Sequence, residues 1–301
     1  MPMRSRPKRF TLRTRHAVTG YGFIAFWLAG FILFLMVPLI GSFAWSTTNA
    51  TLQSIVNQST VFTGIANYSE AFTIDIEFVP LLLETFRNLI VDVPIILVFS
   101  LAVALLATQK VPGGGVFRAV FFLPVVIGSA TVIGRIMDVV GGQLVLFRGA
   151  GVQQFLQIYL GERLPAFMEF LNRAVFVLWR SGVQILIFIA GLKGIDPALY
   201  EAAEVDGASS WARFWKVTLP MLSPVLLVNI IYTIIDSFTA FYNRPNAANR
   251  VLWYIWFVSF QNNFRLGYAA ALGVIYFILI FVLVVLIFVF VNKFTFYRGE
   301  R

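Results

Sequence analysis

Six long apolar segments restrict the folding of this chain more than any other feature of its sequence. A helix needs about 20 mostly apolar residues to cross the hydrocarbon core of a bilayer. Only 12% of the residues are charged, against roughly a quarter in soluble domains. The sequence therefore predicts an all-α, polytopic membrane protein with six transmembrane helices. These helices are expected at residues 20–45, 86–108, 117–140, 173–195, 221–242 and 268–292.

Basic residues are distributed unevenly between the segments that would connect these helices. Six of the 23 Lys and Arg residues precede the first apolar segment, whereas residues 46–85 contain none and carry four carboxylates. Connections rich in Lys and Arg stay in the cytoplasm. We therefore expect both termini to be cytoplasmic (N-in/C-in), with residues 1–19 as a basic tail and residues 196–220 on the inner side. The first segment is too long for the apolar part of a signal peptide and predicts a retained anchor.

The composition also excludes several classes of function. Cysteine is absent and His16 is the only histidine, so no thiolate or histidine metal site is expected. The chain contains no GxxxxGK[ST] phosphate-binding loop, so it is not expected to hydrolyse ATP itself. The net charge of +9 is concentrated in the tail and does not form the basic, aromatic stripe of a nucleic-acid site. No nucleic acid is expected as a partner.

The stretch GIDPALYEAAEVDGASSWARFWKVTLP, between the fourth and fifth apolar segments, predicts a helical hairpin. Asp196 can cap a helix whose first residue is Pro197, because proline there loses no needed N–H. The helix should end near Asp206, and Gly207 should then adopt a left-handed conformation. The spacing of Leu199, Ala202 and Ala203 places small side chains on one face of this helix, which permits close approach by another protein.

A second short helix should complete the hairpin. Ser209 or Ser210 can cap it, and it should continue to Val217. Pro220 is expected to stop it, because the proline ring clashes with a preceding carbonyl in a regular helix. The fifth transmembrane helix would begin after this point.

This segment resembles the cytoplasmic signature of binding-protein-dependent ABC importer permeases, EAA-x3-G-x9-I-x-LP. Glu201-Ala202-Ala203 is followed at the required spacings by Gly207 and Leu219-Pro220, with valine in place of isoleucine. The stretches LYEAA, DGAS, FRAVFFLP (117–124) and FTFYRG (294–299) resemble the sugar (maltose-type, type I) branch in particular.

The resemblance implies a type I ABC importer transmembrane domain over residues 20–301. Residues 196–220 would form a coupling hairpin that docks into a groove on a separate ATPase subunit. The residues implied in coupling are Glu201, Ala202, Ala203, Asp206, Gly207, Leu219 and Pro220. The partners implied are a second homologous permease, two ATPase subunits, an extracytoplasmic solute-binding protein and a saccharide. ATP and Mg²⁺ would bind the ATPase, which leaves this chain without a cofactor or catalytic residues, as a multi-pass protein of the bacterial plasma (inner) membrane.

Several ionisable residues lie inside the predicted helices, where they are costly and usually face a cavity or each other. From the rise of 1.5 Å per residue, five of them fall at similar depth in the outer half of the membrane. They are Asp92, Arg135, Asp138, Arg180 and Asp236. These residues can line a polar vestibule, with Trp179 and Tyr242 stacking on a sugar. Alternatively they form structural pairs, Arg135 with Asp138 and Arg180 with Asp236 or Asp92.

The residues leave the solute and the energy source open. Arginine near the pathway would suit an acidic saccharide through bidentate pairing, but arginine also binds neutral sugars. The first alternative is a permease for an amino acid, phosphate or a glycerol phosphodiester. The second is a secondary transporter or channel without an ATPase, and the third is a membrane enzyme that uses an acid pair such as Asp92 and Asp236.

Overall fold

The computed structural model describes residues 12–109, 150–168, 177, 180–239, 250–262 and 264–295. Helix dominates these ranges, and the β-type pairing described in them is a bridge between Thr48 and Phe62. The chain divides into two compact units. The first consists of residues 1–74 and 255–275, and the second of residues 75–254 and 276–301.

The first unit starts with a long apolar helix. Helix α1 (Leu12–Phe31) continues through a π turn at Ile32–Met36 into α2 (Val37–Ser46). The stretch Thr19–Ser46 contains 28 residues and is long and apolar enough to cross a membrane. The first predicted transmembrane segment is therefore confirmed as a helix of spanning length.

The chain after α2 is a folded segment that contains α3 (Leu52–Val56) and α4 (Ala66–Thr73). The side-chain amide of Asn67 donates hydrogen bonds of 2.8 Å to the backbone oxygens of both Ser46 and Thr48. The backbone N–H of Gly267 donates to the carbonyl of Ala50 at 2.7 Å. These bonds satisfy the backbone that leaves the apolar helix and give the connection a defined structure.

The second unit begins with α5 (Phe78–Thr108), which has 31 residues. It starts eight residues before the predicted segment 86–108. The predicted start was wrong because Glu84 and Arg87 interrupt the apolar pattern. The helix continues through them because Leu81, Thr85 and Leu89 recur at helical spacing on a buried face.

After α5, the second unit contains one shorter helix and then a series of helices that includes the hairpin. Helix α6 (Ala150–Leu160) precedes α7 (Gly182–Lys193), and α8 (Pro197–Val205) follows α7 at a bend of 64°. Helix α9 (Ser210–Arg213) then passes through a π turn at Phe214–Thr218 into α10 (Leu219–Thr239). Pro220 therefore does not stop the second hairpin helix as predicted, and the fifth span is continuous from Ser210.

Two further helices, α11 (Arg250–Phe260) and α12 (Leu266–Asn292), complete the described fold. Helix α12 confirms the last predicted segment. In the described residues, four helices are long and apolar enough to cross a membrane, and the bent α7–α8 pair passes the same test when taken together. The third predicted segment, 117–140, lies outside the described residues, as does part of the fourth.

The core of the second unit lies where α5, α7 and α10 pack together. Its fully buried side chains include Ile96 on α5, Phe188 on α7 and Ile234 on α10. Helices α7 and α10 approach closely at Gly191, where an added Cβ would lie 2.8 Å from a methyl group of Val225.

Candidate functional site

The first hairpin helix has the ends that its sequence predicts. The side chain of Asp196 accepts a hydrogen bond of 3.1 Å from the backbone N–H of Ala198, and Pro197 is the first helical residue. The helix ends at Val205 with Asp206 as its C-cap. Gly207 follows with φ +73°, which confirms the predicted left-handed position.

Two backbone hydrogen bonds close the end of this helix. The N–H of Gly207 donates to the carbonyl of Glu204 at 3.0 Å, and the N–H of Ala208 donates to the carbonyl of Ala203 at 2.9 Å. This is the Schellman arrangement. A Cβ at Gly207 would meet no atom within 4 Å, so the constraint on this position is its backbone conformation and not crowding.

The second hairpin helix is capped by Ser209, one of the two residues predicted for this role. Its side chain accepts a hydrogen bond of 3.3 Å from the N–H of Ala212. The side chain of Ser210 instead accepts a hydrogen bond of 3.2 Å from Arg213. The hairpin therefore starts each of its helices with a side-chain cap.

Two contacts between side chains connect the helices of the hairpin. The hydroxyl groups of Tyr200 and Thr218 lie 3.0 Å apart, and Thr218 is buried. A guanidinium nitrogen of Arg213 lies 3.4 Å from a carboxylate oxygen of Glu204. Sequence reasoning missed Tyr200, Thr218 and Arg213 because their pairing depends on how the hairpin folds. The contacts make α8 and the start of the fifth span one structural piece.

The exposed face of α8 differs from the predicted one. Ala202 is exposed, but Leu199 and Ala203 are half-buried. The exposed face instead continues to Ala198 on one side and to Val205, which is 88% exposed, on the other. Of the other predicted coupling residues, Glu201, Asp206 and Gly207 are exposed, whereas Leu219 and Pro220 are half-buried. The exposed part of α8 thus combines the apolar Ala198, Ala202 and Val205 with the carboxylates of Glu201 and Glu204.

Arg180 and Asp236 form an ion pair inside the second unit. The Nε of Arg180 donates a hydrogen bond of 3.1 Å to Oδ2 of Asp236, and its Nη2 contacts the same oxygen. The side chain of Arg180 is only 7% exposed, and that of Asp236 is 36% exposed. This confirms the structural pairing of Arg180 with Asp236, which was one of the two partners considered.

Among the other predicted pathway residues, the structure describes only Asp92. Asp92 is half-buried on α5. Arg135, Asp138, Trp179 and Tyr242 lie outside the described residues, so their predicted roles stay predictions.

A buried polar network lies beside the ion pair, in the contact of α7 and α10. Nε2 of Gln184 donates to the hydroxyl of Thr233 at 3.3 Å, and Nδ2 of Asn229 donates to the backbone carbonyl of Gln184 at 3.0 Å. All three side chains are fully buried. Sequence reasoning missed them, although amide side chains inside apolar segments were a usable signal, since buried polar groups need partners.

Three buried oxygens in this region have no hydrogen-bond partner among the described residues. They are Oγ of Ser100, Oε1 of Gln184 and Oδ1 of Asn229. Counted from the helix ends at Thr108, Lys193 and Leu219, these residues lie at a similar distance of roughly 12–15 Å. An unpaired polar atom in an apolar interior is costly. The helices α5, α7 and α10 therefore bury polar groups whose hydrogen bonding is incomplete among the described residues.

Comparisons with known proteins agree with this geometry. The family described as "Binding-protein-dependent transport system inner membrane component" matches residues 174–296, which include α7, the hairpin and α10 to α12. The chain is 28% identical over 287 residues to a probable ABC transporter permease protein, YesP, of Bacillus subtilis (strain 168), covering 90% of this chain and 89% of the relative. It is 29% identical over 280 residues to the arabinooligosaccharides transport system permease protein AraP of the same organism, covering 87% and 85%.

The fold is also similar to that of a solved structure. One chain of a bacterial alginate ABC transporter, crystallised with its alginate pentasaccharide-bound periplasmic protein, matches with a TM-score of 0.63 at 20% identity. The match covers 91% of this chain and 94% of the other. At this level of identity the likeness concerns the fold.

Proposed function

We propose that the chain is a sugar-type permease of the binding-protein-dependent transport systems and forms one transmembrane half of an ATP-driven importer of saccharides. The family match over residues 174–296 and the similar permeases support this proposal. The chain is accordingly a multi-pass protein of the bacterial inner membrane. Its task in the importer is to form half of the translocation pathway and to couple that pathway to an ATPase on a separate chain.

The geometry of the hairpin is the observation that carries the coupling role. Helix α8 is capped at both ends, is joined to the start of the fifth span by the Tyr200–Thr218 contact, and exposes Ala198, Ala202 and Val205. An exposed face of small apolar residues suits a helix that docks into a groove of another protein. A displacement of α8 would then reach α10 because the Tyr200–Thr218 contact joins α8 to the helical segment that leads into α10.

The proposed architecture has six spanning helices and both termini in the cytoplasm. The domain would occupy residues 20–301, with residues 1–19 as the basic tail and residues 196–220 as the coupling hairpin. The absence of Lys and Arg from residues 46–85 supports placing the segment with α3 and α4 outside. The hairpin would then lie on the cytoplasmic side, where ATP is available.

The proposed assembly contains a second homologous permease, two ATPase subunits and an extracytoplasmic binding protein. The alginate transporter was crystallised with a periplasmic protein, which supports the binding protein. The arabinooligosaccharide permease supports a saccharide as solute. ATP and Mg²⁺ would bind the ATPase subunits, and the chemistry of hydrolysis would take place there.

The proposed solute pathway runs beside the Arg180–Asp236 pair. Asp236 is partly exposed, so it can accept hydrogen bonds from hydroxyl groups of a sugar while it holds Arg180. Asp92, Arg135, Asp138, Trp179 and Tyr242 remain candidates for the same pathway. The similarity to a transporter of an acidic polysaccharide is compatible with an anionic solute but does not require one.

The coupling role is tested with two substitutions in the hairpin. In the assembled importer, Glu201→Lys should abolish solute-stimulated ATP hydrolysis because it places a long cation on the docking face. Gly207→Asp should do so because it places a charged side chain at a turn whose φ of +73° favours glycine. Membrane insertion should be unchanged for both. Lys293→Glu, a charge reversal at an exposed position outside the hairpin, is the matched control and should keep normal stimulation. Normal transport by both hairpin variants would refute the coupling assignment.

A further inference from the structure

The second hairpin helix carries an exposed pair of tryptophans. Trp211 is 71% exposed and Trp215 is 50% exposed. Their ring centroids lie 5.6 Å apart in an edge-to-face arrangement, and the ring of Phe214 lies 5.3 Å from that of Trp215. The rings therefore form one preformed aromatic surface, and we call Trp211 and Trp215 the tryptophan pair.

The tryptophan pair lies near the side of the fifth span whose later residues, such as Leu222, are buried against the other helices. Trp215 and Trp211 precede the buried Leu222 by seven and eleven residues, spacings that return to one face of a helix. The π turn at Phe214–Thr218 changes this direction by roughly a quarter of a turn. The pair still remains away from the side marked by the exposed Val228 and Ile235.

The tryptophan pair also lies beyond the part of the helix that a bilayer core needs. Residues Leu219–Thr239 already supply 21 residues, which covers a core of about 30 Å. Trp215 and Trp211 then lie about 6 and 12 Å before Leu219 along the helix. Their direction and position together favour a protein surface over lipid.

We propose that the tryptophan pair is a second contact with the ATPase subunit, beside the coupling helix α8. This inference rests on the proposed function and extends it to residues outside the EAA-x3-G segment. Tryptophans in such positions commonly dominate the binding energy of an interface. The partner surface should be an apolar groove, because the exposed rings of Trp211 and Trp215 carry no charge.

The absence of cysteine from the chain permits a direct test. Trp211→Cys and Trp215→Cys each introduce a single thiol, which is labelled with a fluorophore before the permease pair is reconstituted into vesicles. Quenching by aqueous iodide and by nitroxide-labelled lipid is then measured with and without added ATPase. We expect iodide quenching at both positions to fall by about tenfold when the ATPase binds, because the core of an interface excludes water.

Two control variants separate this inference from the proposed function. Ala202→Cys reports on the coupling helix, and Trp27→Cys, at a residue of α1 that is 65% exposed, reports on lipid. Shielding of Ala202→Cys alone would overturn the second contact and leave the coupling role intact. Quenching of the Trp211→Cys and Trp215→Cys labels by nitroxide lipid, as at Trp27→Cys, would show that the pair binds lipid. No shielding at any hairpin position would overturn both proposals.

A functional measurement complements the labelling. The double variant Trp211→Ala/Trp215→Ala should retain about tenfold less ATPase subunit in the purified assembly, and Trp211→Phe/Trp215→Phe should retain most of it, because phenylalanine keeps part of the aromatic surface. Full retention by the double alanine variant would contradict the second contact.

Discussion

At the scale of single residues, the Arg180–Asp236 pair has a structural role whether or not a solute also contacts it. Arg180 is almost completely buried, and Asp236 forms an ion pair with it. A charge left unpaired in a membrane helix is costly. The structural role and a role in solute recognition can be separated only when both charges are removed together.

The pair predicts that the double variant is more stable than either single variant. Arg180→Leu and Asp236→Leu should each lower the free energy of unfolding by about 3 kcal/mol, since each removes one side of a buried ion pair. Arg180→Leu/Asp236→Leu should recover most of this loss, measured as thermal unfolding of the purified permease. Equal instability of all three variants would contradict the pairing. If the recovered double variant also transports normally, the pair is structural only, whereas a stable but inactive double variant indicates solute contact.

The residues that could be predicted from the sequence are those whose role is set by near neighbours. The caps at Asp196 and Ser209 and the left-handed Gly207 depend on three or four residues of local geometry. The contact between Tyr200 and Thr218 could not be predicted, because it forms only when the hairpin closes. The choice of Asp236 over Asp92 as the partner of Arg180 likewise depends on how α5, α7 and α10 pack.

At the scale of helices, two prolines show why the end of the hairpin was predicted incorrectly. Pro38 and Pro220 are each the second residue of a helix that follows a π turn. In a regular α-helix their rings would clash with the carbonyls of Phe34 and Lys216, four residues earlier. A wider π turn gives the ring room and removes the need for a break. The apolar pattern carries no signal that distinguishes a π turn from a helix end.

Close packing of α7 on α10 leads to a prediction at Gly191. Gly191→Ala should lower the free energy of unfolding by about 1–3 kcal/mol, because the new Cβ would overpack against Val225 and Leu222. Gly191→Ala/Val225→Ala should recover part of the loss by vacating the space. Gly273→Ala, in α12, meets no atom within 4 Å and should not destabilise. Thermal unfolding of the four proteins is the measurement, and an unaffected Gly191→Ala variant would contradict the packing.

At the scale of the whole molecule, helical class and membrane location followed from the lengths of the apolar segments alone. The starts of α5 and of the fifth span could not be predicted from these lengths. Polar residues such as Glu84 and Arg213 interrupt the apolar pattern, and they acquire partners only in the folded chain. The local geometry of the hairpin can be predicted from the sequence. Its proposed role also requires that it lies on the cytoplasmic side of the membrane. Orientation is therefore the property on which the proposed coupling depends.

Orientation can be measured with two exposed valines. Val56, on α3, is 73% exposed and Val205, at the end of α8, is 88% exposed. In a chain without cysteine, an impermeant maleimide added to intact spheroplasts should label Val56→Cys and leave Val205→Cys unlabelled until the cells are lysed. This result is expected because basic connections remain inside and residues 46–85 carry none. Labelling of Val205→Cys in intact spheroplasts would place α8 on the side without ATP, where it could not contact an ATPase, and the hairpin would then need another partner.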